Sequence, residues 1–138
     1  MAQYTKNIRH KAREEYGRDI STMTYGLVVA RDTETEAKQA FQSVIDNGDW
    51  EAAGNVMKVA GMESQSFNEQ IKAFQERFIA GWAGYPVVGS PEQVVEELGR
   101  LNEAGMDGMI MGFLDYNEEM KYFGGRILPL MKEAGLRN

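Results

Sequence analysis

Side chains able to do chemistry are few in this 138-residue chain, and they stand where strands are expected to end. Asp32 and Asp115 each follow an apolar segment, where a carboxylate can take a proton as a general base. A turn or helix cap gives Asp115 a simpler role. Ser90 precedes Pro91-Glu92-Gln93, so the positive end of a helix dipole lies behind its hydroxyl and can hold a phosphate. Capping the same helix also accounts for the serine. Gly81-Trp82-Ala83-Gly84-Tyr85 spaces two aromatics with glycines. That spacing either sets Trp82 or Tyr85 against a planar ring or packs a turn. The sole histidine, His10, lies in the charged run Arg9-His10-Lys11 and reads as a solvated helix face, not as part of a Ser-His-Asp triad. There is no cysteine, which excludes disulfides and thiolate chemistry, and one histidine cannot build a His-rich metal centre. No metal is expected. The nine methionines fall mostly at core-stripe or strand positions and read as packing residues.

Composition narrows the partners. Fifteen Lys+Arg against 21 Asp+Glu give a net charge of −6, which argues against a nucleic-acid surface or an anionic membrane as partner. Apolar residues make up 43% of the chain, enough to bury a core, and the length suits a single domain, residues 1–138. The longest apolar run is far short of the roughly 20 residues of a membrane span. Met1–His10 has no signal-type apolar stretch. The expectation is a soluble, cytoplasmic protein. GxGxxG, Walker, HExxH and GxSxG motifs are all absent.

The elements that position these residues alternate between helix and strand. Tyr4 to Tyr16 carries Tyr4, Ile8, Ala12 and Tyr16 at fourfold spacing and reads as a helix stopped by Gly17. Thr22 to Ala30 is apolar on both faces, as in a strand covered on both sides. Thr33-Glu34-Thr35-Glu36 is a capping box, followed by a stripe of Ala37, Ala40, Phe41, Val44 and Ile45 that ends at Asn47-Gly48. Residues 49–80 read as a helical insertion. Ala52, Val56 and Val59 suggest one helix, Ile71, Phe74 and Phe78 another, and Met62 to Ser66 a polar turn. Such insertions on α/β scaffolds form lids or substrate loops. Tyr85 to Val88 is a short strand, Ser90, Pro91 and Gln93 start a helix with the stripe Val94, Leu98 and Leu101, and Gly105 ends it. Met109 to Leu114 is a third strand. A last helix follows with Met120, Phe123, Ile127, Leu130 and Met131 facing the core, kinked or shortened at Pro129. This order predicts an α/β fold with a parallel sheet and right-handed crossovers.

Several segments resemble one family. Gly84-Tyr85-Pro86-Val87-Val88-Gly89-Ser90-Pro91-Glu92-Gln93-Val94 resembles the "G-x-P-x-V-G-[ST]-P-E-Q-V" segment of luciferase-like flavin-dependent monooxygenases. Ala104-Gly105-Met106-Asp107-Gly108, Gly112-Phe113-Leu114-Asp115-Tyr116 and Ile127-Leu128-Pro129-Leu130-Met131 are similar to its later steps. Upstream, Tyr16-Gly17-Arg18-Asp19-Ile20 and the run from Val29 to Ala37 look like its "G-R-D-I" and "V-x-R-D-T-x-x-E-A". The flavour is that of the dimethyl-sulfone and pyrimidine monooxygenase branch.

The resemblance implies the C-terminal portion of a TIM barrel, about three βα units. It implies reduced FMN, or less commonly F420, supplied by a flavin reductase. O2 and a small substrate would be the other reactants, with oxygenation through a peroxyflavin. Tyr25, Tyr85, Phe113 and Asp115 would line the cofactor or substrate pocket from strand ends. The alkanesulfonate branch carries Arg and His where Tyr25 and Leu27 stand here, so the resemblance points to a neutral substrate such as a sulfone or heterocycle. A full barrel takes about 250 residues. On that count the chain is expected to be a truncated or split piece, or a stand-alone descendant. Open sheet edges should then make it pair with a complementing chain or with itself. The alternative expectation is a non-catalytic half-barrel domain that dimerises through its sheet edge.

Overall fold

The computed structural model describes residues 2–59, 61 and 69–137, so the expected turn at Met62–Ser66 lies outside the described residues. Helix α1 (Ala2–Tyr16) precedes strand β1 (Met23–Ala30), and α2 (Glu34–Asp46), α3 (Trp50–Val59) and α4 (Glu69–Gly81) follow it. Then come β2 (Tyr85–Gly89), α5 (Pro91–Glu103) and β3 (Gly108–Gly112). The chain continues through α6 (Tyr116–Tyr122), a π turn (Phe123–Ile127) and α7 (Leu128–Glu133).

All strand pairs are parallel, as the alternation predicts, but the order is β2-β1-β3. Three consecutive strands of a closed barrel would pair in chain order with their helices outside. Here β1 is central. From it the chain crosses one way to β2 and then back the other way to β3. Two crossovers of the same hand in opposite directions need opposite faces of the sheet. The helices obey this. Leu27 and Val29 pack on one face with Ile45, Ala80 and Phe41 of α2 and α4. Val28 and Ala30 pack on the other with Val87, Val94, Leu98, Leu101, Ile127 and Met131. The sequence's double-sided apolar pattern is therefore met at Leu27–Ala30. It is not met at the start of β1, where Met23 is 60% exposed and Tyr25 37%, nor at Ile110 of β3, also 60% exposed.

Both capping boxes form as expected. The Thr33 hydroxyl accepts from the Glu36 N–H while Glu36 accepts from the Thr33 N–H, and Ser90 and Gln93 repeat the arrangement with Pro91 in the first turn. Two expected helix stripes are corrected. Tyr4 and Tyr16 stay exposed, and α1 docks instead through polar groups. In α3 the buried residues are Ala53 and Met57, one position on from Ala52 and Val56, and Val59 is exposed. Small and polar residues are frequent enough in both helices that i,i+4 spacing alone did not identify the packed face. The last helix is broken as Pro129 foretold. Proline lacks the N–H the ladder needs, and one π turn ahead of it the Leu128 N–H reaches back to the Phe123 carbonyl. Met120 is exposed, whereas Ile127 and Met131 are buried.

A polar latch ties α1 to the N-terminal end of the sheet. The Thr5 hydroxyl donates to the Ala104 carbonyl (2.8 Å), and Arg9 donates to the Gly105 carbonyl (2.9 Å) and pairs with Asp107. Asp107 also accepts the Thr22 N–H (2.6 Å). Gly105 turns out of α5 at φ +93°, and a Cβ there would lie 2.8 Å from the Thr5 hydroxyl. The Thr22 N–H, then the Arg9 guanidinium, hold the Asp107 carboxyl below the usual carboxylate range. A lowered carboxyl stabilises the fold above its unfolded value of roughly 4 and loses that contribution as pH falls through the folded value. Asp107→Asn is therefore expected to lower the melting temperature at neutral pH and to shrink that loss below about pH 4, read by circular dichroism melts across pH.

Gly26 is the tightest point of the sheet. A Cβ there would meet the Tyr85 carbonyl at 2.9 Å, and the thioether of Met109 lies across the same spot. The side chain of Met109 can swing away; the backbone carbonyl in the ladder cannot. Gly26→Ala should destabilise by about 1–3 kcal/mol, measured as a lower urea midpoint at unchanged m-value.

Candidate functional site

The C-terminal ends of parallel strands are where α/β proteins place their chemistry. Here those ends carry Arg31 and Asp32 after β1, Ser90 after β2, and Phe113 to Asp115 after β3. A cleft lies between the end of β1 and α6, lined by Ala30, Arg31, Asp115, Glu118, Lys121 and Tyr122, with Glu119 at its base.

Glu119 organises this end. Its side chain is only 10% exposed. One oxygen accepts the Leu114 N–H (2.8 Å) and, more weakly, the Asp115 N–H (3.4 Å), so it holds the turn that leaves β3. The other lies 2.7 Å from the Arg31 guanidinium, a charge pairing made off the hydrogen-bond direction. Arg31 also donates to its neighbouring Ala30 carbonyl (2.7 Å). The ends of β1 and β3 are thus joined through one buried carboxylate. Beside it the Tyr122 hydroxyl donates to Asp32 (2.8 Å), and Arg126 stands 3.8 Å from the same carboxylate. Burial, then the Asp32 hydrogen bond, push the Tyr122 hydroxyl up to about 12.

The four residues expected to line a pocket separate. Tyr25 lies on the Leu27 face of the sheet, its ring spanning from Gly84 to Gly112. A Cβ on Gly84 would approach that ring to 2.8 Å, and one on Gly112 would come within 2.7 Å of its hydroxyl. Tyr85 lies on the opposite face and donates its hydroxyl to Glu97 of α5. That bond, then burial, raise its pKa. Phe113 packs edge-on to Tyr116 (5.6 Å) and Phe123 (5.8 Å). Asp115 caps α6, accepting from the Asn117 (2.9 Å) and Glu118 (3.4 Å) N–H groups. Trp82 is 74% exposed in a turn where it and Ala83 both take positive φ, at 53° and 59°, and it packs edge-on to Phe78 (5.3 Å). Glu119 and Tyr122 were not singled out from the sequence. Two acidic residues in a first helical turn read as dipole partners, and only the fold shows that Glu119 turns inward.

A family model described as luciferase-like monooxygenase matches residues 1–108. The chain belongs to the luciferase-like monooxygenase family. The FMNH2-dependent dimethylsulfone monooxygenase of Pseudomonas fluorescens is 35% identical to this luciferase-like chain over 133 residues, 92% of the chain and 36% of that protein. The pyrimidine monooxygenase RutA of Acinetobacter baylyi is 32% identical over 122 residues, 86% of the chain and 33% of that protein. The chain thus spans about a third of the length of the curated relatives it matches. Among solved structures, DmoA from Hyphomicrobium sulfonivorans superposes with a TM-score of 0.77 at 21% identity, over 99% of this chain and 35% of that one. The long-chain alkane monooxygenase LadA gives 0.72 at 21%, with the same coverage. The fold is theirs.

The strand ends of the luciferase-like chain do not fit a flavin phosphate. Each cation near them is engaged: Arg31 with Glu119, Arg126 with Asp32, and Lys121 with Glu118. The N-terminus of α5 is closed by its own box, and the Ser90 hydroxyl donates to Glu92 (2.8 Å), so a carboxylate already stands at that helix end. Among the described residues no cluster of three or more His, Asp or Glu can hold a metal ion, and no helix is long and apolar enough to cross a membrane.

The raised Tyr122 hydroxyl gives a testable alkaline limb. A raised folded-state pKa contributes stability that is present below the unfolded value of roughly 10 and is lost as pH rises through the folded value. Tyr122→Phe should remove that loss between about pH 10 and 12, seen as one fewer late-titrating tyrosine in absorbance at alkaline pH and a flatter stability curve there.

Proposed function

We propose that this chain forms one wall of a luciferase-like FMN-dependent monooxygenase, with the flavin phosphate held by polypeptide outside these 138 residues. The observation that carries the reading is the half-covered sheet. The Leu27 face is sealed by α2 and α4 toward the strand ends, yet Met23, Tyr25 and Ile110 are left bare toward the strand starts. The outer edges of β2 and β3 are open, and Met23 to Tyr25 lack a neighbour on the β2 side, where pairing begins at Gly26. Bare apolar side chains beside unpaired strand edges mark a surface made to be covered.

In this reading the chain acts as one domain, and residues 49–80 are a helical insertion beside the mouth of the site. Tyr25 is 37% exposed on the uncovered part of the sheet, and its hydroxyl has no partner among the described residues, so it can donate to a neutral acceptor. Tyr85 and Phe113 hold β2 and the β3 turn in place, while Asp115 caps α6 at the edge of the strand-end cleft. A small neutral organic substrate is favoured because relatives are named as dimethylsulfone and pyrimidine monooxygenases and because Tyr25 brings no positive charge. O2 is the co-substrate, and reduced FMN comes from a separate reductase in the cytoplasm. Oxygenation chemistry belongs to the reduced flavin, and this chain's part is to bind and orient.

The test is a fluorescence titration of FMN with the purified chain, with light scattering to follow assembly. The expected result is an oligomer or a self-associating species that leaves FMN free. Stoichiometric FMN binding by the chain alone would overturn the assignment of the phosphate site to other polypeptide.

A further inference from the structure

The two open edges of the sheet differ in chemistry. On β2 the Gly89 carbonyl accepts the Arg31 N–H (3.3 Å), so Tyr85, Val87 and Gly89 turn their main-chain groups to β1. Pro86 and Val88 then face outward. Pro86 has no N–H to offer, and Lys38, Glu96 and Arg100 flank this edge from α2 and α5. Proline and charge are devices that keep a strand edge from pairing.

The β3 edge has neither. There the Asp107 N–H donates to the Thr22 carbonyl (2.8 Å), so Met109 and Met111 bond to β1 while Gly108 and Ile110 face outward. Gly112 also faces outward, but it is buried within its own chain. No charge lies between Gly108 and Gly112, and the adjoining Asp107 is engaged by Arg9 and Thr22. Both faces beside this edge are apolar. Met23, Tyr25 and Ile110 are exposed on one. On the other, Met109 and Met111 line a half-open groove together with Met106 and Met131.

Shape and charge select the occupant. Ile110 projects a large side chain, and Gly108, on the same face, has none. The exposed Met23 leans over Gly108, 3.1 Å from where a Cβ would stand. A second copy turned about a two-fold axis at Met109 sets each Ile110 over the other's Gly108 and against the other's Met23. The main chain matches as well, because Gly108 of one copy and Ile110 of the other both face outward and can exchange N–H···O bonds. Asp107 falls opposite Met111 of the second copy. Two chains of net charge −6 thus meet along this edge with no carboxylate facing another.

We propose that the chain forms a two-fold dimer by antiparallel pairing of its β3 edges about Met109. The proposal rests on the reading of the bare sheet surface as one made to be covered, and it names a second copy as the cover. So short an edge buries less than the roughly 1,200 Å² of a standard interface, so the dimer is weak and reversible.

The experiment is sedimentation equilibrium of the full chain from micromolar to millimolar concentration, paired with amide hydrogen exchange. A monomer–dimer equilibrium is expected, with protection of the Gly108 and Ile110 amides rising with concentration and that of Val88 unchanged. Ile110→Lys should weaken the dimer about tenfold or more, while Val59→Lys, with the same added charge on an exposed site of α3, leaves it intact. The chain has no cysteine, so one introduced thiol reports the register. Met109→Cys should form an intermolecular disulfide on mild oxidation, because Met109 meets its own copy at the axis. Ile110→Cys should not, because the two Ile110 positions are offset along the strands. A chain that stays monomeric throughout, a dimer that Ile110→Lys and Val59→Lys affect equally, protection at Val88 instead, or a disulfide from Ile110→Cys and not from Met109→Cys would each overturn the proposal. No arm contains FMN, so these outcomes are independent of the assignment of the phosphate site.

Discussion

Four residues of β1, Leu27 to Ala30, have to be covered on both faces at once, and that requirement organises the molecule. Each face needs its own helical layer, and the chain has only two crossovers to provide them. It solves the problem by leaving β1 toward one edge and returning past it to the other. The hand of parallel crossovers then sends α2 and α5 to opposite sides. Val29 and Val28, adjacent in sequence, are consequently buried in different clusters, one beside Ile45 and the other beside Val94.

The two ends of the sheet are closed by different chemistry. At the strand starts, the buried Thr5 hydroxyl and the Arg9, Thr22 and Asp107 groups form a polar latch whose ion pair is worth little, because its charges are about 40% exposed to water. At the strand ends, Glu119 is buried, so its carboxylate must be matched by Arg31 and the β3-turn amides or its desolvation would be costly. That difference locates rigidity. The end carrying the cleft is held by a buried charge, and the opposite end is where apolar side chains lie open.

Membership of the luciferase-like family and the similarity to DmoA give that openness a meaning. A relative about three times as long has more chain with which to cover Met23, Tyr25 and Ile110. The acidic, fully paired strand ends fit a wall that leaves the phosphate to another segment. A fold alone does not supply a function; the site does.

Short-range rules made much of the chain legible from its sequence. Thr33/Glu36 and Ser90/Gln93 declare helix starts because a capping box is closed within four residues. Pro129 announces a break because it removes a single N–H. Gly105 ends α5 because a positive φ suits glycine. Family motifs, spaced along nearly the whole chain, were legible for the same reason: each is a local turn or cap. What required the tertiary structure was anything that depends on a neighbour distant in sequence. The central place of β1, the opposite faces taken by Tyr25 and Tyr85, the inward turn of Glu119 and the gathering of four methionines around one space all follow from strand order. A strand carries its own face alternation, but which face meets helix, neighbour or open solvent is decided only when the other strands are in place.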